Sequence, residues 1–493
     1  MAKRLAQFSI VIFCLAALLS CGSKQSDAIR FGLASMPSNL DPRFYTSAIE
    51  TRIGRLIYDR LVDFDESMMA KPALASWQQI TPKLYRFTIQ DQNKTFHDGK
   101  RLTSADVKAT YDFILEEKHA SPHRTSVKLI EKITTPDERT IDFHLQYEDP
   151  LFPAYLVIGI VPKHLSESDH SFKIHPIGSG SFEFVDWSSE EKLRIQRIED
   201  RTPFEFLHVQ NPTVRVLKLM RGEIDMVQND LPPELIHYLR DQSDINVIQR
   251  EGSNFSYLGF NMEDPALKNL DVRRAVAYAI DKDEIIKYVF GNAVKPANAL
   301  LPPEHWAGNP NLKHIHYNPE KAKTLLAQAG FENKLKLTYK TSNDPFRVRL
   351  ATVIQDQLAR VGIEMEIRSY DWGTFYGDIK NGRFQVFSLA WIGIKTPDIF
   401  QYVFHSEAVP PNGANRGRYK DKEMDRLVDE AKRQSDLKIQ AAIYQKIQEK
   451  VLFELPYIPL WYESHVFISN KRIKNYVLAA DGNFDALNKM TRI

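Results

Sequence analysis

The sequence predicts a mixed α/β protein of two or three domains. Three observations carry this expectation. The chain has 493 residues, at a usual size of about 150 residues per domain. Short runs of alternating apolar residues recur along it, and longer runs with helical spacing are interleaved with them.

The elements follow in order. Ile29, Phe31 and Leu33 alternate, as do Tyr85, Phe87 and Ile89, and then Ile141, Phe143 and Leu145, which is the period of half-buried strands. Helical spacing is clearest at Val272, Ala275, Val276, Ala279 and Ile280. Asp281, with Glu284 three residues on, resembles a capping box opening a second helix that Gly291 can end. Leu335 and Leu337 predict a strand, residues 344–361 a helix, and Val361, Ile363, Met365 and Ile367 a further strand, so this stretch reads as an α/β unit. Met424, Leu427, Val428 and Ala431 form one late helix face; Ile439, Ala442, Ile443, Ile447 and Val451 form another, ending before Pro456. No repeat or flexible linker interrupts the chain, so its domains are expected to be joined by crossing strands.

Composition narrows the function. Hydrophobic residues are 43% and charged residues 26%, enough to bury a large core without metals or disulfides. Lys3 and Arg4 are the only charges among the first twenty residues, and the remainder carries 63 of each sign. Such a balance argues against nucleic acid as a partner.

The N-terminus is a targeting signal. Lys3 and Arg4 precede an apolar run from Phe8 to Leu19, too short to span a bilayer and suited to a signal peptide. Leu18-Leu19-Ser20-Cys21 resembles the bacterial lipobox, so residues 1–20 are expected to be removed, Cys21 lipidated and residues 21–26 left as a tether. Gly22 in place of Asp favours outer-membrane sorting where such a membrane exists. Cys14 leaves with the signal, which leaves no catalytic thiol.

Motifs that carry catalysis are missing. There is no G-x-S-x-G, no H-E-x-x-H and no P-loop. Gly178-Ser179-Gly180 begins like a dinucleotide fingerprint, but Glu183 stands at the third glycine position, and a tight turn explains the pair better. His314 and His316 make half a metal site at most. No cofactor, metal or enzymatic activity is expected. The aromatic supply is conspicuous instead: 20 Tyr, 28 Phe and 6 Trp, many beside turns, which suits a generous apolar cleft.

Several blocks together are similar to the extracellular solute-binding proteins of peptide ABC importers, the dipeptide- and oligopeptide-binding family 5. These are Asn39-Leu40-Asp41-Pro42; residues 71–77, 85–89 and 95–107, the last reading as strand, Asp-Gly turn and a helix capped at Thr103 or Ser104; Pro176 to Gly180; residues 221–225; Leu258-Gly259-Phe260-Asn261 with 271–281; residues 415–425; and 456–460. The likeness covers residues 28–470 in the same order.

The resemblance implies a bilobal periplasmic-binding-protein-like fold of type II with an additional third domain. Domain I is then 27–56, 173–252 and 466–493, domain II 57–172 and domain III 253–465, with crossing strands near 174 and 255–262. It implies a monomer that closes on a peptide between its lobes and delivers it to a membrane permease. Phe44, Tyr45, Tyr257, Trp391, Gly393, Ile394 and Asn415 are the expected cleft residues. In peptide-binding relatives an Asp shortly after the Trp pairs with the ligand's ammonium. Ile394 stands there in this chain and Lys395 follows. Binding without a free N-terminus is therefore expected, unless Asp371, Asp398 or Glu407 reaches the same point. The competing functions are the same scaffold holding an oligosaccharide, opine or metal chelate, and a peptide sensor or chaperone uncoupled from import.

Overall fold

A computed structural model describes residues 27–189 and 191–493; the expected signal peptide and Cys21 lie outside the described residues. Strand β1 (Ile29–Leu33) leads into a helix, Ala48–Ile57, opened by a Ser47/Glu50 capping box. Strands β2 (Ala75–Thr81), β3 (Leu84–Ile89), β4 (Ile130–Thr134) and β5 (Thr140–Leu145) then form an antiparallel sheet of their own in the order β2-β3-β5-β4. The alternating residues of β3 and β5, Tyr85, Phe87, Ile89, Ile141, Phe143 and Leu145, all point into its core. The helix Ser104–Leu115 covers that core, and its capping box joins Thr103 to Asp106, whose carboxylate accepts from the Thr103 backbone N–H at 2.8 Å.

The second sheet is continuous through the rest of the molecule. It contains β6 (Phe182–Ser189), β7 (Lys192–Arg197), β8 (Pro203–His208), β9 (Met226–Gln228), β10 (Ile245–Phe260), β11 (Val294–Pro296), β12 (Lys336–Ser342), β13 (Glu364–Tyr370), β14 (Val386–Trp391) and β15 (Tyr457–Asn470), together with β1. The order is β13-β12-β14-β10-β15-β9-β1-β8-β7-β6, with β11 also on β15. Parallel pairing is confined to β1 with β8 and β9, and to β12 with β13 and β14. The pair β12 and β13 is the strand–helix–strand unit that the pattern over residues 335–367 implies.

The long antiparallel pair β10 and β15 carries the sheet from one body to the next. Its register slips between Arg250 and Asn254, where Gly252 sits so close that a Cβ would lie 2.4 Å from the Glu463 carbonyl. A bulge there adds twist and turns the two ends apart. One core gathers around Phe31, Ile53, Phe204 and Phe467, a second around Phe87 and Phe143, and a third pair of clusters flanks the sheet around Leu258 and Tyr257. This is the bilobal type II arrangement with an extra domain.

Three sequence expectations meet corrections. The segment near residue 174 crosses between bodies without strand structure; the second long crossing strand is β15. Gly178 and Gly180 are not glycine for the sake of turn geometry, since neither has a positive φ. They are small because the backbone there lies on the end of the Ala48–Ile57 helix, where a Cβ on Gly178 would sit 2.0 Å from the Ile57 carbonyl. On the helix Leu437–Glu454, Ile443, Ile447 and Val451 are buried as expected, but Ile439 is 50% exposed and Ala442 is also exposed, while Gln440 and Gln448 are buried. The glutamine amides donate to the Ala431 and Ala307 carbonyls, so hydrogen bonding lets them share the apolar inward face.

Candidate functional site

A cleft of about 300 Å³ lies where the three bodies meet. Pro42, Tyr45 and Tyr58 line it from the first body, Arg60, Phe64 and Tyr155 from the second, and Gly393, Lys395, Thr396 and Asp398 from the third. The wall is aromatic with a few charges, which is the character of a small-molecule site.

Tyr45 is fixed by a short chain of causes. Its hydroxyl donates to the Leu40 carbonyl at 3.0 Å, and its ring lies on Gly54, where a Cβ would come within 2.2 Å of the phenolic oxygen. Burial, with Asp41 and Glu50 nearby, pushes its pKa well up, so it remains a neutral donor.

The cations of the cleft are already paired. Arg55 bonds Asp63 and Asp485, and Arg60 bonds Asp63. Burial opposes ionisation of Asp63, yet Arg60 and Arg55 hold its carboxyl well below the usual range. Lys395 pairs with Asp481 at 2.8 Å and stands 5.0 Å from the Phe64 ring centroid. His305 accepts from Ala307 N–H on Nδ1, so its Nε2 donates to the Lys395 carbonyl at 3.2 Å. Burial lowers the His305 pKa to about 4, which keeps it in this neutral form. The 393–398 loop is thereby tied to all three bodies.

Asp398 is the exception. Its carboxylate accepts from the Thr396 hydroxyl and has no ion-pair partner among the described residues. Burial, reinforced by the charge of Asp149, pushes its pKa up to about 6, against the weaker pull of Lys432. Asp149, 3% exposed in the second body, accepts from Leu151 N–H at 2.9 Å and from the Tyr155 hydroxyl at 3.2 Å. Asp371 is instead the N-cap of the Trp372–Lys380 helix, and Glu407 is exposed on a 3₁₀ turn. Of the three acids weighed from the sequence, Asp398 is the one that lines the cleft.

The other expected residues divide. Tyr45 and Gly393 line the cleft, and Gly393 takes φ +71°. Ile394 is 8% exposed and packs in the apolar cluster with Phe400. Phe44 is half-buried, edge-on to Phe113 at 5.9 Å, and does not line this cleft. Asn415 is 2% exposed; its amide donates to the His405 and Tyr419 carbonyls at 3.1 and 2.6 Å and accepts from Tyr419 N–H, so it braces a loop. Tyr257 and Trp391 meet around Arg416, which donates to the Tyr257 hydroxyl at 3.0 Å and lies 4.5 Å from the Trp391 ring centroid. Sequence reasoning passed over Asp149, which stands in no recognisable motif, and Arg416, which lies inside the 415–425 block but was not singled out within it. Among the described residues no group of three or more His, Cys, Asp or Glu is placed to hold a metal, and no helix is long and apolar enough to cross a membrane.

A cleft between lobes linked by crossing strands defines a solute-binding protein. The chain matches the family description "Bacterial extracellular solute-binding proteins, family 5 Middle" over residues 70–409, and it belongs to that family. It is similar to the dipeptide-binding protein of Escherichia coli, at 25% identity over 94% of both chains. A periplasmic binding protein DppA of Helicobacter pylori, solved with the peptide STSA, aligns at a TM-score of 0.78 and 26% identity, covering 94% of this chain and 98% of that one. NikZ of Campylobacter jejuni, solved with Ni(L-His), aligns at a TM-score of 0.81 and 25% identity, covering 94% and 99%.

Proposed function

We propose that this protein is a lipid-anchored, extracytoplasmic solute-binding protein that captures peptides in its interdomain cleft and delivers them to the permease of an ABC importer. The observation that supports this best is the cleft itself, to which every body of the molecule contributes a wall. A ligand touching all three favours the closed form, and closure presents a changed surface to a permease. In this reading Cys21 carries the lipid, the domain limits are 27–56 with 173–252 and 466–493, then 57–172, then 253–465, and the unit is a monomer. Asp398 is the carboxylate available to a cationic group of the ligand.

A second reading is a non-peptide solute such as an oligosaccharide, opine or metal chelate. It draws support from the same fold in a relative solved with Ni(L-His).

Native mass spectrometry of the purified protein identifies what co-purifies. A peptide adduct supports the first reading and a non-peptide adduct the second. Calorimetry with one captured peptide, free and N-acetylated, then tests Asp398: a tenfold loss on acetylation that vanishes in Asp398→Asn assigns it the ligand's amine. Equal affinities instead support the expectation that no free N-terminus is needed. Fatty-acid labelling that persists in Cys21→Ser refutes the anchor.

A further inference from the structure

Arg416 is a half-buried cation held by aromatic groups and not by an acid. Its guanidinium donates to the hydroxyls of Tyr257 and Tyr376, at 3.0 and 3.2 Å, and lies over two aromatic rings, 4.5 Å from the Trp391 centroid and 5.5 Å from that of Tyr376. Among the described residues no carboxylate lies within ion-pairing distance. Arginines buried more deeply are settled differently. Arg43 and Arg197 have carboxylate partners, while Arg215 and Arg273 each donate several bonds to backbone carbonyls. Two phenols take two of the five N–H donors of Arg416 and none of its charge.

The surroundings add donors and no acceptor of negative charge. The Trp391 indole N–H is buried without a partner among the described residues, and so is the hydroxyl of Tyr457, which is 6% exposed. Tyr457 lies tilted against Tyr257 at 4.5 Å and, with Tyr257 and Arg416, lines a hollow of about 20 Å³, room for one small atom. The rim is open. Trp372, 58% exposed, stacks on Tyr376 at 5.4 Å and 6°, and Ile392, next to Trp391, is 59% exposed.

We infer that Arg416 is a specificity residue that recognises a carboxylate of the captured solute, with the aromatic faces of Trp391 and Tyr376 holding the adjoining apolar part. The inference rests on the solute-binding reading. One cation matches the single charge of a carboxylate, and the planar guanidinium presents paired N–H groups to its two oxygens. The surrounding rings exclude water and strengthen the pairing.

The test uses purified full-length protein, wild type, Arg416→Gln and Arg416→Lys, with three probes. These are tri- and pentaalanine, the same peptides as C-terminal amides, and succinate, a carboxylate without amine or peptide bond. The wild type is expected to favour the free carboxylate about 30-fold or more over the amide, the loss typical of a desolvated charge pair. Arg416→Gln should erase that preference and Arg416→Lys restore part of it. Equal wild-type affinity for acid and amide overturns the inference while peptide capture stands. Binding of succinate alone, lost in Arg416→Gln, supports the inference and refutes peptide capture. No binding of any carboxylate probe by the wild type overturns it. Should Arg416→Gln fail to fold, the wild-type preference decides.

Discussion

Two carboxylates of this molecule, one buried and one half-buried, face opposite circumstances. Asp225, with a side chain 0% exposed, is ringed by Arg30, Arg472 and Arg492 and accepts from Asn470. Asp398 has one hydroxyl donor and no ion-pair partner among the described residues, with the negative charge of Asp149 opposing the weaker pull of Lys432. Asp225 ties β1, the Arg221–Asp225 turn and the end of β15 together far from the cleft, whereas Asp398 lines it. Compensated charge builds the frame, and charge left over lines the cleft proposed to hold a solute, because burial without a partner is costly.

The largest effect is expected from breaking the frame. Asp225→Ala leaves Arg30, Arg472 and Arg492 facing one another and should lower unfolding stability by about 3–5 kcal/mol in denaturant titrations. A loss under about 1 kcal/mol would show that Asp225 is no more critical than a surface charge.

Asn415 sharpens the comparison with a neutral group. Asn415→Ala strands the His405 and Tyr419 carbonyls and should lower stability by about 1–3 kcal/mol with little change in ligand affinity. Weakened binding at unchanged stability would make it a ligand contact instead.

Lys395 lies between the extremes, because its pair with Asp481 is about one-fifth exposed. Lys395→Ala should cost about 1 kcal/mol, and solution scattering should show a more open average shape. An unchanged radius of gyration argues against a tie between bodies.

Asp398→Asn should have the smallest effect, and its sign depends on pH. The folded-state pKa of about 6 lies above the ordinary 3.8, so the folded form holds the proton more tightly. The stability this contributes is full below about pH 4 and is lost as pH rises through about 6. Thermal melts across that range should show the wild type declining relative to Asp398→Asn. Parallel curves would mean that the carboxyl is not perturbed.

Local pattern carried a good part of the fold. The alternation in β1, β3 and β5 and the helix faces at 270–279 and 422–433 are readable because each depends on neighbours within a turn or a pleat. Reading failed where a distant partner redefined a residue. Gln440 and Gln448 face inward because carbonyls elsewhere accept from them, and Gly178 is glycine because a helix end lies against it.

By itself, the sequence determined the mixed α/β class, the order of its elements and the family motifs that residues 28–470 contain in series. The tertiary structure alone decided which side chains share the cleft. It seated Ile394 in a core and Asp398 at the wall, four residues apart, and it joined Arg55 to Asp485 across 430 residues. Those placements follow from the register of β10 on β15 and from the docking of three bodies, and no local periodicity records either.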